Sequence, residues 1–209
     1  MNGITKNKET HKMTRLRIFQ HISLDGVIQQ SADENNFPYS NWSGPYRTPA
    51  GRDMLMARYG EKFDLLLGRR TYDSFSSFWP KAPSSPMADR LNAAKKYVVT
   101  HRPESLEWGP FERVGPDGGL EIVEGIRRIK AQEGPDVLLM GSSTLTSAVL
   151  EHGLADEVVL LVDPVLLGVG KRLFADGTPA RAFELNNTTS TPTGIVVNSY
   201  KPVGPLKQQ

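Results

Sequence analysis

The chain has 209 residues, with 25 Lys and Arg against 23 Asp and Glu, a formal net charge of +2, and 38% apolar and 23% charged residues. That balance fits a globular domain able to bury one sizeable core, and it excludes the concentrated basic footprint of a nucleic-acid binder. The absence of cysteine removes disulfide scaffolds, Cys-ligated metal sites and thiol nucleophiles.

Residues 1–12 are polar and mixed in charge, and Met13 stands directly before the first apolar run, so 1–12 reads as a disordered leader and 13–203 as a single domain. Short strand-like runs rich in Val, Ile and Leu lie at 16–22, 63–67, 96–100, 136–140 and 158–162. Helical patterns separate them at 50–59, 71–78, 88–95, 120–132 and 144–152. Leu65-Leu66-Leu67 and Val137-Leu138-Leu139 are apolar on both faces, the mark of a central, mostly parallel sheet. Runs at 183–191 and 195–202 are joined by Pro192-Thr193-Gly194, which predicts an antiparallel hairpin at one edge. The expected fold is therefore α/β, three-layered, with helices on both faces of a mixed sheet and ligands at the carboxyl ends of its parallel strands. No apolar run approaches the roughly 20 residues of a bilayer span, and the polar N-terminus lacks the apolar centre of a secretory signal. A cytoplasmic protein without membrane or nucleic-acid partners is expected, either an enzyme or a small-ligand binder.

A polar and aromatic stretch over 30–49 contains Phe37, Tyr39, Trp42 and Tyr46; its length suggests a lid over a planar ligand, or a loop packed on its own aromatics. Two strand ends share one design. One strand runs into Gly68-Arg69-Arg70-Thr71 and a helix, another into Gly141-Ser142-Ser143-Thr144 and a helix. Small residues let backbone approach a phosphate, and N–H groups at a helix start point at it. With a third basic strand end at Thr100-His101-Arg102, the set suits a ligand with several phosphates, and its arginines favour NADPH over NADH. The dinucleotide fingerprint G-x-G-x-x-G follows neither strand.

Four segments carry a resemblance: Ile22-Ser23-Leu24-Asp25-Gly26-Val27-Ile28, Leu67-Gly68-Arg69-Arg70-Thr71-Tyr72, Met140-Gly141-Ser142-Ser143-Thr144-Leu145, and Pro164-Val165-Leu166-Leu167-Gly168-Val169-Gly170-Lys171-Arg172-Leu173-Phe174. In this order the chain resembles the dihydrofolate reductase superfamily, and within it the C-terminal reductase domain of the riboflavin-biosynthesis deaminase/reductase, here as a stand-alone member. The resemblance implies NADPH, hydride transfer to a C=N or carbonyl of a small heterocyclic or sugar-bearing substrate, and a homodimer. It places Gly68, Arg69, Arg70 and Thr71 against the pyrophosphate and adenosine side, Thr100, His101 and Arg102 near the 2′-phosphate, and Gly141, Ser142, Ser143, Thr144 and Leu145 at the pyrophosphate and nicotinamide ribose. Ser23 and Gly26 would line the nicotinamide end; the aromatic stretch, read as a lid, would set Trp42 and Tyr46 against the substrate.

Two departures stand out. The family commonly has Gly-Gly where this chain has Gly141-Ser142, and an Asp-Asp-Pro where it reads Asp73-Ser74-Phe75. Dihydrofolate or pterin reduction, or NADP binding without catalysis, therefore stay open beside the riboflavin-type activity. For a proton source, dihydrofolate reductases carry an acid on the helix before the Gly-Arg strand, and Asp53 has nearly that separation from Gly68; a first-turn acid complementing the helix dipole is the other reading. Asp25 is a second candidate, although Asp-Gly is also a turn pair. His21, His152 and His11 read as ordinary histidines, and no metal site is expected.

Overall fold

A computed structural model of the chain describes residues 13–31, 36–115, 119–174 and 176–207, residues 119 and 120 in backbone only; the expected leader at 1–12 lies outside them. Strands β1 (Leu16–Ile22), β2 (Phe63–Gly68), β3 (Lys96–Val99), β4 (Phe111–Arg113), β5 (Asp136–Met140), β6 (Glu157–Val162), β7 (Arg181–Ser190) and β8 (Val196–Pro205) alternate with helices α1 (Pro49–Tyr59), α2 (Arg69–Phe78), α3 (Pro86–Ala93), α4 (Gly119–Lys130) and α5 (Ser143–Glu151). They form one eight-stranded sheet in the order β4-β3-β2-β5-β1-β6-β8-β7. Neighbours from β4 to β6 pair in parallel, and β8 pairs antiparallel with both β6 and β7.

The doubly apolar strands are buried on both sides as their composition demands. Leu65, Leu66, Leu67, Leu138 and Leu139 are inaccessible to solvent. On one face Leu16, Ile18, Leu66 and Leu139 pack with Val123, Ile126 and Ile129 of α4 and Leu145, Val149 and Leu150 of α5. On the other, Phe19, Leu65, Leu67, Leu138 and Leu161 pack with Met54, Leu55 and Tyr59 of α1, Tyr72 and Phe75 of α2 and Leu91 of α3. Strand β4 was not foreseen, because three exposed residues at a sheet edge carry no hydrophobic alternation. The edge strand β7 has register shifts between Ala182 and Phe183 and between Leu185 and Asn187, irregularities that blunt an edge against further pairing. Among the described residues no helix is long and apolar enough to cross a membrane.

The strand order makes the site. Strand β5 is inserted between β2 and β1, so the chain leaves neighbouring strands in opposite directions, and a crevice opens at their carboxyl ends.

Candidate active site

At these strand ends lies a cleft of about 1450 Å³ reached by Phe19, Gln20 and His21 of β1, the β2–α2 turn, the β5–α5 turn and α1. The two turns interlock. A Cβ on Gly68 would stand 3.1 Å from the Ser142 side chain, and one on Gly141 would stand 2.6 Å from Thr71 Oγ1. Glycine at both positions lets the starts of α2 and α5 lie side by side. Gly141 also needs its φ of +70°, which an L side chain adopts only with strain.

The helix starts are served differently. Gly68 caps α2 with no side-chain hydrogen bond, leaving its first turn to accept a ligand. At α5 the Ser142 hydroxyl accepts from Leu145 N–H at 3.3 Å, and Gly141 N–H is already given to Gln20 Oε1 at 2.9 Å. Gly68, Arg69, Arg70, Thr71, Ser142, Ser143 and Thr144 all line the cleft, as does Tyr46, while Leu145 is buried in the core beneath. Arg69 is a brace as well as a cation. Its Nε donates to both Asp73 carboxylate oxygens at 2.8 and 2.9 Å, and Nη1 donates to Arg102 O and Ser105 Oγ at 2.9 and 2.7 Å. The cleft wall contains Arg47, Arg52, Arg69, Arg70 and Lys171, and among the described residues no Asp or Glu.

Several expected site residues stand elsewhere. Thr100, His101 and Arg102 follow β3 outside the cleft lining, because Thr100 is buried and its Oγ1 accepts from Arg102 N–H at 3.0 Å. Trp42 is no ligand platform. It packs with Val27 and Phe37, and its indole N–H donates to Gln29 O at 2.6 Å, so this part of the aromatic stretch is held by its own side chains. Ser23 is fully buried behind the site, donating to Asp25 Oδ1 at 2.7 Å and accepting from Val27 N–H at 2.9 Å. Gly26 serves that turn with a φ of +81°, away from the cleft lining.

Neither candidate carboxylate reaches the cleft. Asp53 is exposed on α1 and outside the cleft lining, to which that helix contributes Gly51, Arg52, Met54, Leu55 and Tyr59. Asp25 is a fastener, since Leu167 and Gly168 N–H donate to its two oxygens at 3.2 and 2.9 Å. The Ser23 hydroxyl, helped by these N–H groups and opposed by burial, holds its carboxyl below the ordinary value. It stays ionised as an acceptor and has no proton to give near neutral pH.

The pair that sequence reasoning passed over is His21 with Asp163. His21 lines the cleft, and its Nδ1 lies 2.9 Å from Oδ2 of Asp163, a carboxylate buried just past β6. Only the parallel pairing of β1 with β6, His21 opposite Leu161, brings together residues 142 apart in sequence. No local motif signals that contact. Nearby, burial pushes the Tyr59 phenol up to about 12, with Arg47 pulling the other way.

The fold and its strand-end cleft define a dihydrofolate reductase-like domain. The chain superposes on dihydrofolate reductase from Enterococcus faecalis, complexed with NADP(H) and RAB-propyl, with a TM-score of 0.58 and 14% identity over 90% of this chain and 96% of that one. Over residues 15–197 it matches the RibD C-terminal domain, and it belongs to that family. A protein of Bacillus subtilis (strain 168), the uncharacterized YyaP, is 27% identical over 194 residues, 90% of this chain and 95% of its own length. A protein of Shewanella sp. PV-4 described as a riboflavin biosynthesis protein shares the fold with a TM-score of 0.67, at 19% identity over 90% of this chain and 99% of that one.

Proposed function

We propose that the protein is an NADPH-dependent reductase acting on a C=N or carbonyl carbon of a small heterocyclic substrate, most similar in activity to 5-amino-6-(5-phosphoribosylamino)uracil reductase of riboflavin biosynthesis. The observation that carries this reading is the charge of the cleft: five Arg and Lys along its wall, with Arg69 and Arg70 at the start of α2, and among the described residues no acid. Such a wall suits a polyanion. The donor set fits the cofactor, because the uncapped start of α2 and the hydroxyls of Thr71, Ser143 and Thr144 stand together across two glycines that exclude side-chain bulk.

When bound, NADPH supplies the hydride. Gly68 to Thr71 and Ser142 to Thr144 would hold its phosphates, with Arg69 and Arg70 favouring a 2′-phosphate. Phe19, Met140, Leu161 and Ile195 give the floor an apolar surface that excludes water from the reacting ring. Tyr46, Arg47 and Arg52 complete the wall on the α1 side, where an anionic or hydrogen-bonding substrate would sit. As an enzyme of this class we take the protein to be a cytoplasmic homodimer, which sedimentation tests.

A second reading, NADP binding without catalysis, is favoured by the lack of a cleft carboxylate. The deciding experiment follows NADPH consumption with the phosphoribosylaminouracil, dihydrofolate and a set of small carbonyl compounds. Turnover of at least one is expected. Binding without any turnover would favour the second reading, and no binding at millimolar NADPH would reject both.

A further inference from the structure

Reduction of a C=N or C=O bond needs a proton as well as a hydride, and the described cleft wall offers no carboxylate to supply it. His21 meets the requirement by position. Its ring lines the cleft beside Phe19, with the side chain 18% exposed, while the Asp163 side chain behind it is wholly inaccessible. Asp163 Oδ2 takes Nδ1 at 2.9 Å, and among the described residues Oδ1 has no hydrogen-bond partner. A buried carboxylate so sparsely satisfied is costly unless a cation faces it, and a protonated imidazole is such a cation. An ionised Asp163 can only accept, so with that carboxylate charged the contact requires the proton on Nδ1 and leaves Nε2 as the ring nitrogen for the cleft.

We propose that His21, as imidazolium, donates the proton that accompanies hydride transfer, and that Asp163 is its positioning residue; the proposal rests on the reductase reading above. The substrate carbon gains hydride from the reduced nicotinamide, the π pair of the C=N or C=O bond moves onto the heteroatom, and that atom takes the proton from Nε2. The imidazole is left neutral, its Nδ1–H still on Asp163, and it regains a proton from water through the open cleft. One hydride and one proton are consumed per turnover. The ionisable groups around the imidazole are Asp163 at the end of β6, Arg47 within electrostatic reach of Asp163, Tyr59 on α1, and Arg52, Arg69, Arg70 and Lys171 further along the same wall.

The test reads the ring directly in the protein saturated with NADP⁺. Nitrogen-detected NMR of the histidines, with His21 assigned from His21→Gln, is expected to show Nδ1–H bonded to Asp163 and loss of that Nδ1–H signal in Asp163→Asn. A neutral Nε2–H tautomer, or a ring indifferent to Asp163→Asn, overturns the proposal, and this arm decides even where no substrate turns over. With a substrate from the set above, His21→Gln is expected to lower kcat by about 10²- to 10⁴-fold while NADPH affinity stays within about threefold. Retained affinity shows that the variant is folded, and His21→Asn repeats the result. Unchanged kcat in His21→Gln, or its loss in Tyr59→Phe alone, overturns the assignment. Absence of cofactor binding to the native protein overturns the reductase reading itself, a separate result.

Discussion

Ser142 holds a backbone position, φ 58° and ψ 88°, that residues other than glycine enter at a cost of roughly 1–2 kcal/mol. Its hydroxyl offsets part of that cost by capping Leu145 N–H. Ser142→Gly is therefore expected to be at least as stable as the native chain, whereas Ser142→Ala keeps the strain, loses the cap and is less stable by about 1 kcal/mol in urea denaturation. Lys96 shows a different burden. It is buried, with Nζ donating to Asn92 O and Gly109 O at 2.7 and 3.1 Å and lying 4.1 Å from the centre of the Trp108 ring. Burial pulls its ammonium down to about 8 from 10.5, with Asp64 opposing. The lowered value means that the unfolded chain binds more protons between these two values, so this group's contribution to stability rises with pH across that window and is constant below it. Urea midpoints from pH 7 to 10 should show that rise, and Lys96→Met should remove it relative to the native protein. The glycines and the basic Gly68-Arg69-Arg70 turn could be read from sequence because their chemistry is local. His21 could not, because its meaning comes from Asp163 on another strand.

At the scale of elements, caps explain where sequence and structure part by a residue or two. Helices α1 and α3 begin at Pro49 and Pro86, behind Thr48 and Ser85, whose hydroxyls accept from Gly51 and Ala88 N–H at 3.1 and 3.2 Å. Hydrophobic periodicity alone started both helices late, although a hydroxyl residue followed by Pro marks a first turn. The loop after β6 is fastened by Asp25 through Leu167 and Gly168 and passes so close to Val27 and Phe37 that a Cβ on Gly170 would stand 2.7 and 2.8 Å from them. Asp25→Ala should free the amides of Leu167 and Gly168, seen as faster hydrogen exchange there, and cost about 1 kcal/mol of stability. Unchanged exchange at these amides would contradict the fastening role.

For the whole molecule, a net charge of only +2 conceals a strong local asymmetry, since five cations line one cleft and the described acids lie off its wall. The arrangement follows from strand order, which gathers the ends of β1, β2 and β5 at one crevice. The sheet was legible because its central strands are apolar on both faces, whereas the cleft's lack of acid was not, since Asp25 and Asp53 look equally placed until the fold turns both away. Calorimetric titration of the protein with NADPH, with NADH in parallel at low and high salt, tests the central claim most directly. The account predicts saturable NADPH binding in the micromolar range, roughly tenfold or more tighter than NADH and weakened by salt. No heat of binding at millimolar NADPH, or equal and salt-insensitive binding of the two nucleotides, would contradict it.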